Sequence, residues 1–410
     1  MSTTTGSLAR QALQHPDFAR YASARFAATL AWQMLDAVLL YQVWHLTGSE
    51  ALTGTVGLSQ FIPFALLLLP GGQIADRYDR RTLIMLAYTL ETLATGLLLA
   101  FTLSGGKEVY VCLVSAALLG VGRAFWAPAG QAMTPNLVPK DLLSGAIAVN
   151  SVLFQAGLIV GPLLGGVIAY VSIGIAYEAI IALLIVSILL MARVKSVRAE
   201  GGAQWHWGQV LEGARFVWNK KPLFGAISLD LFAVLFGGAV ALLPVFADRI
   251  LHVNGVGYGL LRAAPGMGAA IVAFFLGLKP ITRHAGRWMF GGVAVFGVGT
   301  IIFGASTHYW LSFAMLAIVG AGDMVSVFVR GLLVQLETPD SIRGRVSAVN
   351  SLFIGSSNEL GAFESGVTGQ WLGAARAVMF GGIGTLIVVA TYMRMFPALR
   401  KLDRFPDPVH

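Results

Sequence analysis

The sequence predicts an all-α membrane protein of twelve transmembrane helices, arranged as two pseudo-symmetric six-helix bundles. Three observations carry that reading. Of the 410 residues, 56% are hydrophobic and only 12% charged, about half the charged share of a soluble domain. The apolar residues form stretches long enough for the roughly 20 residues a spanning helix needs, joined by short polar connections. The second half also repeats the first. Ala148-Val149-Asn150-Ser151 recurs as Ala348-Val349-Asn350-Ser351. At the same offset of 200 residues Gly120 and Gly122 meet Gly320 and Gly322, Pro139 meets Pro339, Gly161 meets Gly361, and Gly166-Val167 meets Gly366-Val367. Gly57 and Pro63 match Gly259 and Pro265 at a slightly different offset. Ungapped matches across two helices fit a duplicated six-helix unit. The expected division is a bundle over 1–192, a cytoplasmic amphipathic linker over 193–221 and a second bundle over 222–410.

The first span, about Phe18 to Leu46, carries Arg25, Thr29, Gln33 and Asp36 at spacings of four, four and three, hence on one helical face. Such a stripe faces protein neighbours or lines a cavity. Either way it avoids lipid, where an acid at mid-depth costs roughly 2.5–3.5 kcal/mol. The second span, about Ala51 to Ile74, contains Pro63 and ends in Gly71-Gly72-Gln73-Ile74-Ala75-Asp76-Arg77-Tyr78-Asp79-Arg80-Arg81. Five charges in six residues cannot lie in hydrocarbon, so this stretch reads as a short loop at a water interface. Its arginines place it on the cytoplasmic side. The third span, about Thr82 to Leu103, includes Glu91, read as packing against the second span or as neutral by protonation. The fourth, about Val109 to Ala132, holds Arg123, which either snorkels to an interface or faces a cavity. The fifth, about Leu142 to Val171, contains Gly157-Leu-Ile-Val-Gly161-Pro162-Leu-Leu-Gly165-Gly166. Small residues four apart make a groove for a neighbouring backbone, and Pro162 bends the helix.

After the sixth span, about Ile173 to Met191, the polar segment from Arg193 to Lys221 places Trp205, Trp207, Val210, Leu211, Ala214, Phe216, Val217 and Trp218 at roughly helical intervals. This predicts an amphipathic helix in the headgroup layer; a helix that docks a soluble partner is the alternative. The seventh span, about Leu223 to Phe246, carries Asp230, and the eighth, about Val256 to Leu278, carries Arg262. The ninth runs from about Trp288 to Ala305. The tenth, about Tyr309 to Leu333, carries Asp323 and Arg330. The eleventh, about Val346 to Leu372, carries Asn350, Ser357, Glu359 and Glu364, and the twelfth runs from about Ala375 to Phe396. Cations crowd the connections on the side holding both termini, while the other side has Lys107, Arg249 and Arg376. Both termini are therefore expected in the cytoplasm.

These motifs resemble the major facilitator superfamily. Gly72, Asp76, Arg77, Arg80 and Arg81 match its loop pattern Gly-x-x-x-Asp-Arg-x-Gly-Arg-Arg/Lys, with Asp79 where that pattern usually has glycine. Gly157, Gly161, Pro162, Gly165 and Gly166 resemble the Gly-x-x-x-Gly-Pro-x-x-Gly-Gly motif of its exporters. In the second half the matching loop, Lys279 to Arg287, lacks the Asp-Arg pair, and Gly361-Ala362 replaces Gly-Pro. Ala75-Asp-Arg-Tyr-Asp-Arg-Arg81 and Ser365-Gly-Val-Thr-Gly-Gln-Trp-Leu-Gly373 look like the branch of bacterial siderophore and macrolide exporters. The resemblance implies two bundles rocking about a central cavity and proton antiport, with Asp76 and its arginines as a conformational latch. It places Gln33, Asp36, Arg123, Asp230, Arg262, Asp323, Glu359 and Glu364 as candidates for proton coupling or the cavity, Asp36 foremost.

Composition and motifs bear on other classes. The net charge of +8 resides in retention-type loops without a basic-aromatic module, so nucleic acid is not an expected partner. One cysteine, Cys112, allows no intrachain disulfide. The polar N-terminus lacks the apolar core of a signal peptide. Haem ligation needs residues at membrane depth, yet the seven histidines fall in tails or near span ends, and no nucleotide-binding or hydrolase motif occurs. The expectation is therefore a monomeric transporter of a small molecule in the bacterial cytoplasmic membrane, driven by a proton gradient without a cofactor. An importer or lysophospholipid flippase of the same fold is the alternative, and a membrane enzyme the remote one.

Overall fold

The computed structural model describes residues 2–196, 207–339 and 342–405, which are helical with no strand among them. The helices in order are α1 (Ser2–Leu13), α2 (Pro16–Thr47), α3 (Glu50–Arg77), α4 (Arg80–Leu103), α5 (Val109–Met133), α6 (Leu143–Val171), α7 (Ile173–Ala192) and α8 (Trp207–Asn219). There follow α9 (Lys221–Phe236), α10 (Leu243–Val245), α11 (Gly255–Leu278), α12 (Ala285–Ala305), α13 (Tyr309–Glu337), α14 (Arg343–Leu372), α15 (Ala374–Met395) and α16 (Pro397–Arg400). Among the described residues eleven helical stretches are long and apolar enough to cross a membrane. The predicted eleventh span, α14, is not among them, although its 30 residues exceed what a bilayer needs. Its run Ser356-Ser357-Asn358-Glu359, with Glu364, makes it too polar for a lipid-facing helix.

Two predicted elements differ in form. The charged stretch after Gly71 is not all loop: α3 continues to Arg77, leaving only Tyr78 and Asp79 between helices. A helix satisfies its own backbone groups, so it can run past the hydrocarbon and carry its charges on the last turn. The seventh span is not one helix. It breaks after Phe236 at Gly237-Gly238 and continues as a 3-10 turn, α10 and a π turn to Ile250. The glycines lower the cost of leaving the helix. A Cβ on Gly238 would stand 2.6 Å from the carbonyl oxygen of Gly361, so the break is also where α14 comes closest. Of the predicted amphipathic linker, residues 197–206, with Trp205, lie outside the described residues. Within α8, Val217 is buried while Trp218 is exposed, and Arg345 of α14 pairs with Glu212.

The chain forms two compact units that do not follow a single cut in sequence. The first comprises Met1–Gly48, Ser59–Gln204 and Asn254–Ala263; the second comprises Ser49–Leu58, Trp205–Val253 and Ala264–His410. In the first unit, α2 lies in the glycine groove of α6. A Cβ on Gly157 would sit 2.6 Å from Cγ2 of Thr29, and one on Gly165 would sit 3.0 Å from the Met34 carbonyl oxygen. One residue on, Gly166 receives the first turns of α11, with Gly259 Cα 2.7 Å from the position its Cβ would take. A buried cluster of Phe18, Tyr21, Ile84, Tyr88, Met133 and Leu142 fills the end of this unit nearest the N-terminus. The second unit repeats the scheme. Gly361 packs on the backbone of α9 at Leu235, and Gly366 receives the first turns of α3 at Gly54. Its own cluster centres on Ile227, Met289, Phe290 and Leu333.

The glycines divide into those that touch a backbone and those that do not. A Cβ on Gly72 would meet nothing within 4 Å, whereas Gly71 lies directly against Ala124 of α5. Gly165→Val is expected to destabilise by about 1–3 kcal/mol through overpacking, and Gly72→Ala to leave stability unchanged or slightly raised. Melting temperatures of the purified variants in detergent check this contrast; equal melting of both variants would show that α2 does not depend on the groove.

Candidate functional site

In the first unit the polar face of α2 meets two partners. Gln33 packs over Gly161 of α6. Asp36 accepts a hydrogen bond from Nη2 of Arg262, with both side chains largely buried. Arg262 reaches Asp36 because the opening turns of α11 are seated on Gly166 and because Tyr258 donates its hydroxyl to the carbonyl of Ala37 at 2.9 Å. The guanidinium is not fully satisfied: its Nε has no hydrogen-bond partner. An arginine–carboxylate pair at this depth is charge-assisted and desolvated, so loss of either partner strands the other.

Arg123 does not turn toward headgroups. Its guanidinium stands 4.7 Å from the ring centre of Phe64 and 5.7 Å from that of Trp32, within cation–π range. Glu91 lies close enough to feel its charge. Glu91 itself is buried, but against α5 rather than the second span: its Oε1 accepts from Trp126 Nε1 at 2.7 Å, and a Cβ on Gly122 would touch its Cγ at 3.1 Å. Sequence spacing cannot show this, because the acid's partner is an indole one helix further along the chain.

The loop between α3 and α4 works mainly through its arginines. Arg80 donates to the carbonyl of Ala132 in the last turn of α5 at 2.9 Å, and Arg81 to that of Val194 just past the end of α7 at 2.8 Å; a cation is favoured at such helix ends. Asp76 is 65% exposed and lies 3.8 Å from Arg80, an arrangement worth little in water. Asp79 accepts from Thr82 at 2.9 Å, and Arg77 is exposed.

The second unit holds a deeply buried ion pair. Arg330 of α13 donates to Asp230 of α9 at 2.5 Å, and Ser326 donates to the other oxygen of Asp230 at 3.3 Å. Asp323 lies two turns before Arg330 on the same helix. Arg330 was absent from the predicted set, though its spacing of seven from Asp323 puts both on one helical face. Glu359 borders Gly57, and Glu364 receives a long 3.5 Å contact from the Ser365 hydroxyl. A further acid escaped sequence reasoning. Glu50, at the start of α3, is buried beside Gln370, whose Oε1 accepts from the Glu50 backbone N–H at 3.1 Å.

Among the described residues no three His, Cys, Asp or Glu residues gather as a metal site of such ligands would require. The sequence profile of the family described as transmembrane secretion effector matches residues 9–408. The chain belongs to that family. It is a major facilitator transporter, similar to siderophore exporters, and not an enzyme. The enterobactin exporter EntS of Citrobacter koseri is 28% identical over 96% of this chain and 95% of its own length. EntS of Escherichia coli O157:H7 is 26% identical over the same shares. Among solved structures, a bacterial homologue of the human lysosomal transporter Spinster has a TM-score of 0.74 at 14% identity, covering 97% of this chain and 99% of its own. The nucleoside transporter NupG has a TM-score of 0.71 at 13% identity, covering 93% and 99%. At such identities these two show the fold alone.

Removing one member of a buried pair costs about 3–5 kcal/mol, because the other charge is stranded. Arg330→Gln is therefore expected to lower the melting temperature sharply, and Asp230→Asn/Arg330→Gln to recover part of the loss. Thermal denaturation followed by size-exclusion chromatography measures both. If Arg330→Gln melts like the wild type, the pair does not hold α9 to α13.

Proposed function

We propose that this chain exports a siderophore-like small molecule across a bacterial cytoplasmic membrane by exchanging it for protons, with both termini in the cytoplasm. The observation that carries the reading is the Asp36–Arg262 pair. A largely buried carboxylate whose partner among the described residues is a guanidinium has two ways to remain neutralised: the arginine or a proton. Protonating Asp36 releases Arg262, which then needs another anion, and an acidic substrate group is one. The pair also ties the first turns of α11 to α2. Beneath it, the contact between Gly166 and Gly259 is backbone against backbone with no interlocking side chains, so it can part once the charge tie is gone.

The similarity to EntS proteins supports the substrate class and the direction, and the cations crowded beside both termini support the orientation. The mobile part of the cycle also involves the α3–α4 loop. There Asp76 acts as a latch whose loose 3.8 Å approach to Arg80 tightens in another state.

Asp36→Asn is expected to abolish substrate movement driven by an imposed pH gradient in inside-out vesicles, while substrate binding or downhill exchange stays measurable. Unchanged uphill transport would pass the proton to the Asp230–Asp323 group or to α14. Asp76→Asn is expected to slow transport several-fold at normal protein levels; full activity would remove the latch.

A further inference from the structure

The first unit holds a cavity that the exchange mechanism does not use. We propose that it binds a planar acidic group of the substrate, such as an aryl carboxylate or a phenolate, with Arg25 as the anion ligand and α6 as the wall for the ring. This inference rests on the transport reading above and names the substrate chemistry that reading leaves open.

The cavity has a volume of about 310 Å³ and lies where α5 ends and α6 begins, beside the third turn of α2. That is the lower end of the range for small-molecule sites, room for one ring bearing an acid rather than for a whole multi-ring molecule. Its polar side is fixed in advance. Tyr21 donates its hydroxyl to the Gly130 carbonyl at 2.6 Å. Asn150 donates through Nδ2 to Thr134 at 3.0 Å. Asn150 is only 8% exposed, and its Oδ1 has no hydrogen-bond partner. A buried amide oxygen left in that state loses roughly 1–3 kcal/mol, which a hydroxyl or a water carried in with a ligand would restore.

Arg25 supplies the charge. Among the described residues no carboxylate lies within ion-pair distance of it, in contrast to Arg262 and Arg330. A guanidinium inside a membrane bundle without an acid is expensive unless it faces water or an anion. The opposite wall is apolar and open: Ile147 is 54% and Phe154 45% exposed, seven residues apart on one face of α6 with Ser151 between them. A flat ring laid on that face brings its acid to Arg25 and its edge hydroxyls to Ser151 and Asn150.

The internal repeat separates this arrangement from mere fold. Asn350 occupies the place of Asn150 in the second half, and its Oδ1 is likewise without a partner. Yet Val334 stands in place of Thr134, and Gly225-Ala226-Ile227 offers no cation in place of Arg25. The amide belongs to both halves; the guanidinium and the hydroxyl belong to one.

The test is isothermal calorimetry on the full chain in nanodiscs, with 2,3-dihydroxybenzoate and its uncharged methyl ester as probes. The acid is expected to bind, and the ester to bind at least tenfold more weakly. Arg25→Gln should weaken the acid at least tenfold, Arg25→Lys should recover part of that, and Ser151→Trp should block binding by filling the cavity. Absence of acid binding at millimolar concentration, or equal affinity in wild type and Arg25→Gln, overturns the proposal. Ester binding as tight as the acid does so too. Vesicle export of a catecholate siderophore, run alongside, separates the two readings. Export with Arg25-indifferent probe binding removes the pocket and keeps the exporter; Arg25-dependent binding without export keeps the pocket and removes the exporter.

Discussion

Backbone must approach backbone at a few glycines, and the rest of the structure follows from that. Inside a bilayer no water drives helices together, so their association depends on close van der Waals fit and on polar contacts. The glycines of α6 and α14 supply the fit, and they do so at matching positions. Gly161 admits α2 at Gln33 and Gly361 admits α9 at Leu235; Gly120 lies against Gln60 and Pro63 of α3, and Gly320 against Pro265 of α11. Each contact is one that any larger side chain would force apart. The glycines therefore set the rotation of α2 as well as its distance, and that rotation turns Thr29, Gln33 and Asp36 away from lipid.

Placement of the charges comes next in the chain of causes. Asp36 could not persist at membrane depth without a counter-charge, and its own helix offers none nearby, since Arg25 is three turns off. The counter-charge comes from α11 only because Gly166 accepts that helix's first turns. Packing thus determines electrostatics here: enlarge Gly166 and Arg262 moves, although neither Asp36 nor Arg262 has changed. The same dependence appears at Arg80 and Arg81, which reach the ends of α5 and α7 only because α3 remains helical through Asp76 and delivers α4 after a two-residue turn.

Much of this was legible in the sequence, for an identifiable reason. Span length, loop cations and the repeat are one-dimensional signals, and they yielded the helices, the glycine motif and most of the charged residues of interest. Pairing is three-dimensional and stayed hidden. Nothing in the spacing of Asp36 and Arg262, 226 residues apart, says that they touch, and the contact of Glu91 with Trp126 was missed because Trp126 carries no charge to draw attention. Gly72 was weighted by its place in a pattern, yet it is Gly71 that meets α5. Adjacent glycines differ only in which way they point, which a linear motif does not encode. The break in the seventh span was visible as Gly237-Gly238, but apolar residues on both sides masked it.

The repeat has kept its backbone contacts and lost its charge symmetry. Where the first half has Arg123 and Trp126, the second has Asp323 and Ser326. In the first unit the cations Arg25 and Arg123 stand among aromatic and hydroxyl groups, an environment suited to an anion that carries rings. In the second, Asp230 is paired with Arg330, and Asp323 lies on the same face of α13 as that arginine. Duplication followed by divergence of side chains on a preserved glycine frame allows this difference, because the frame tolerates changes on its polar faces and tolerates almost none at the seams.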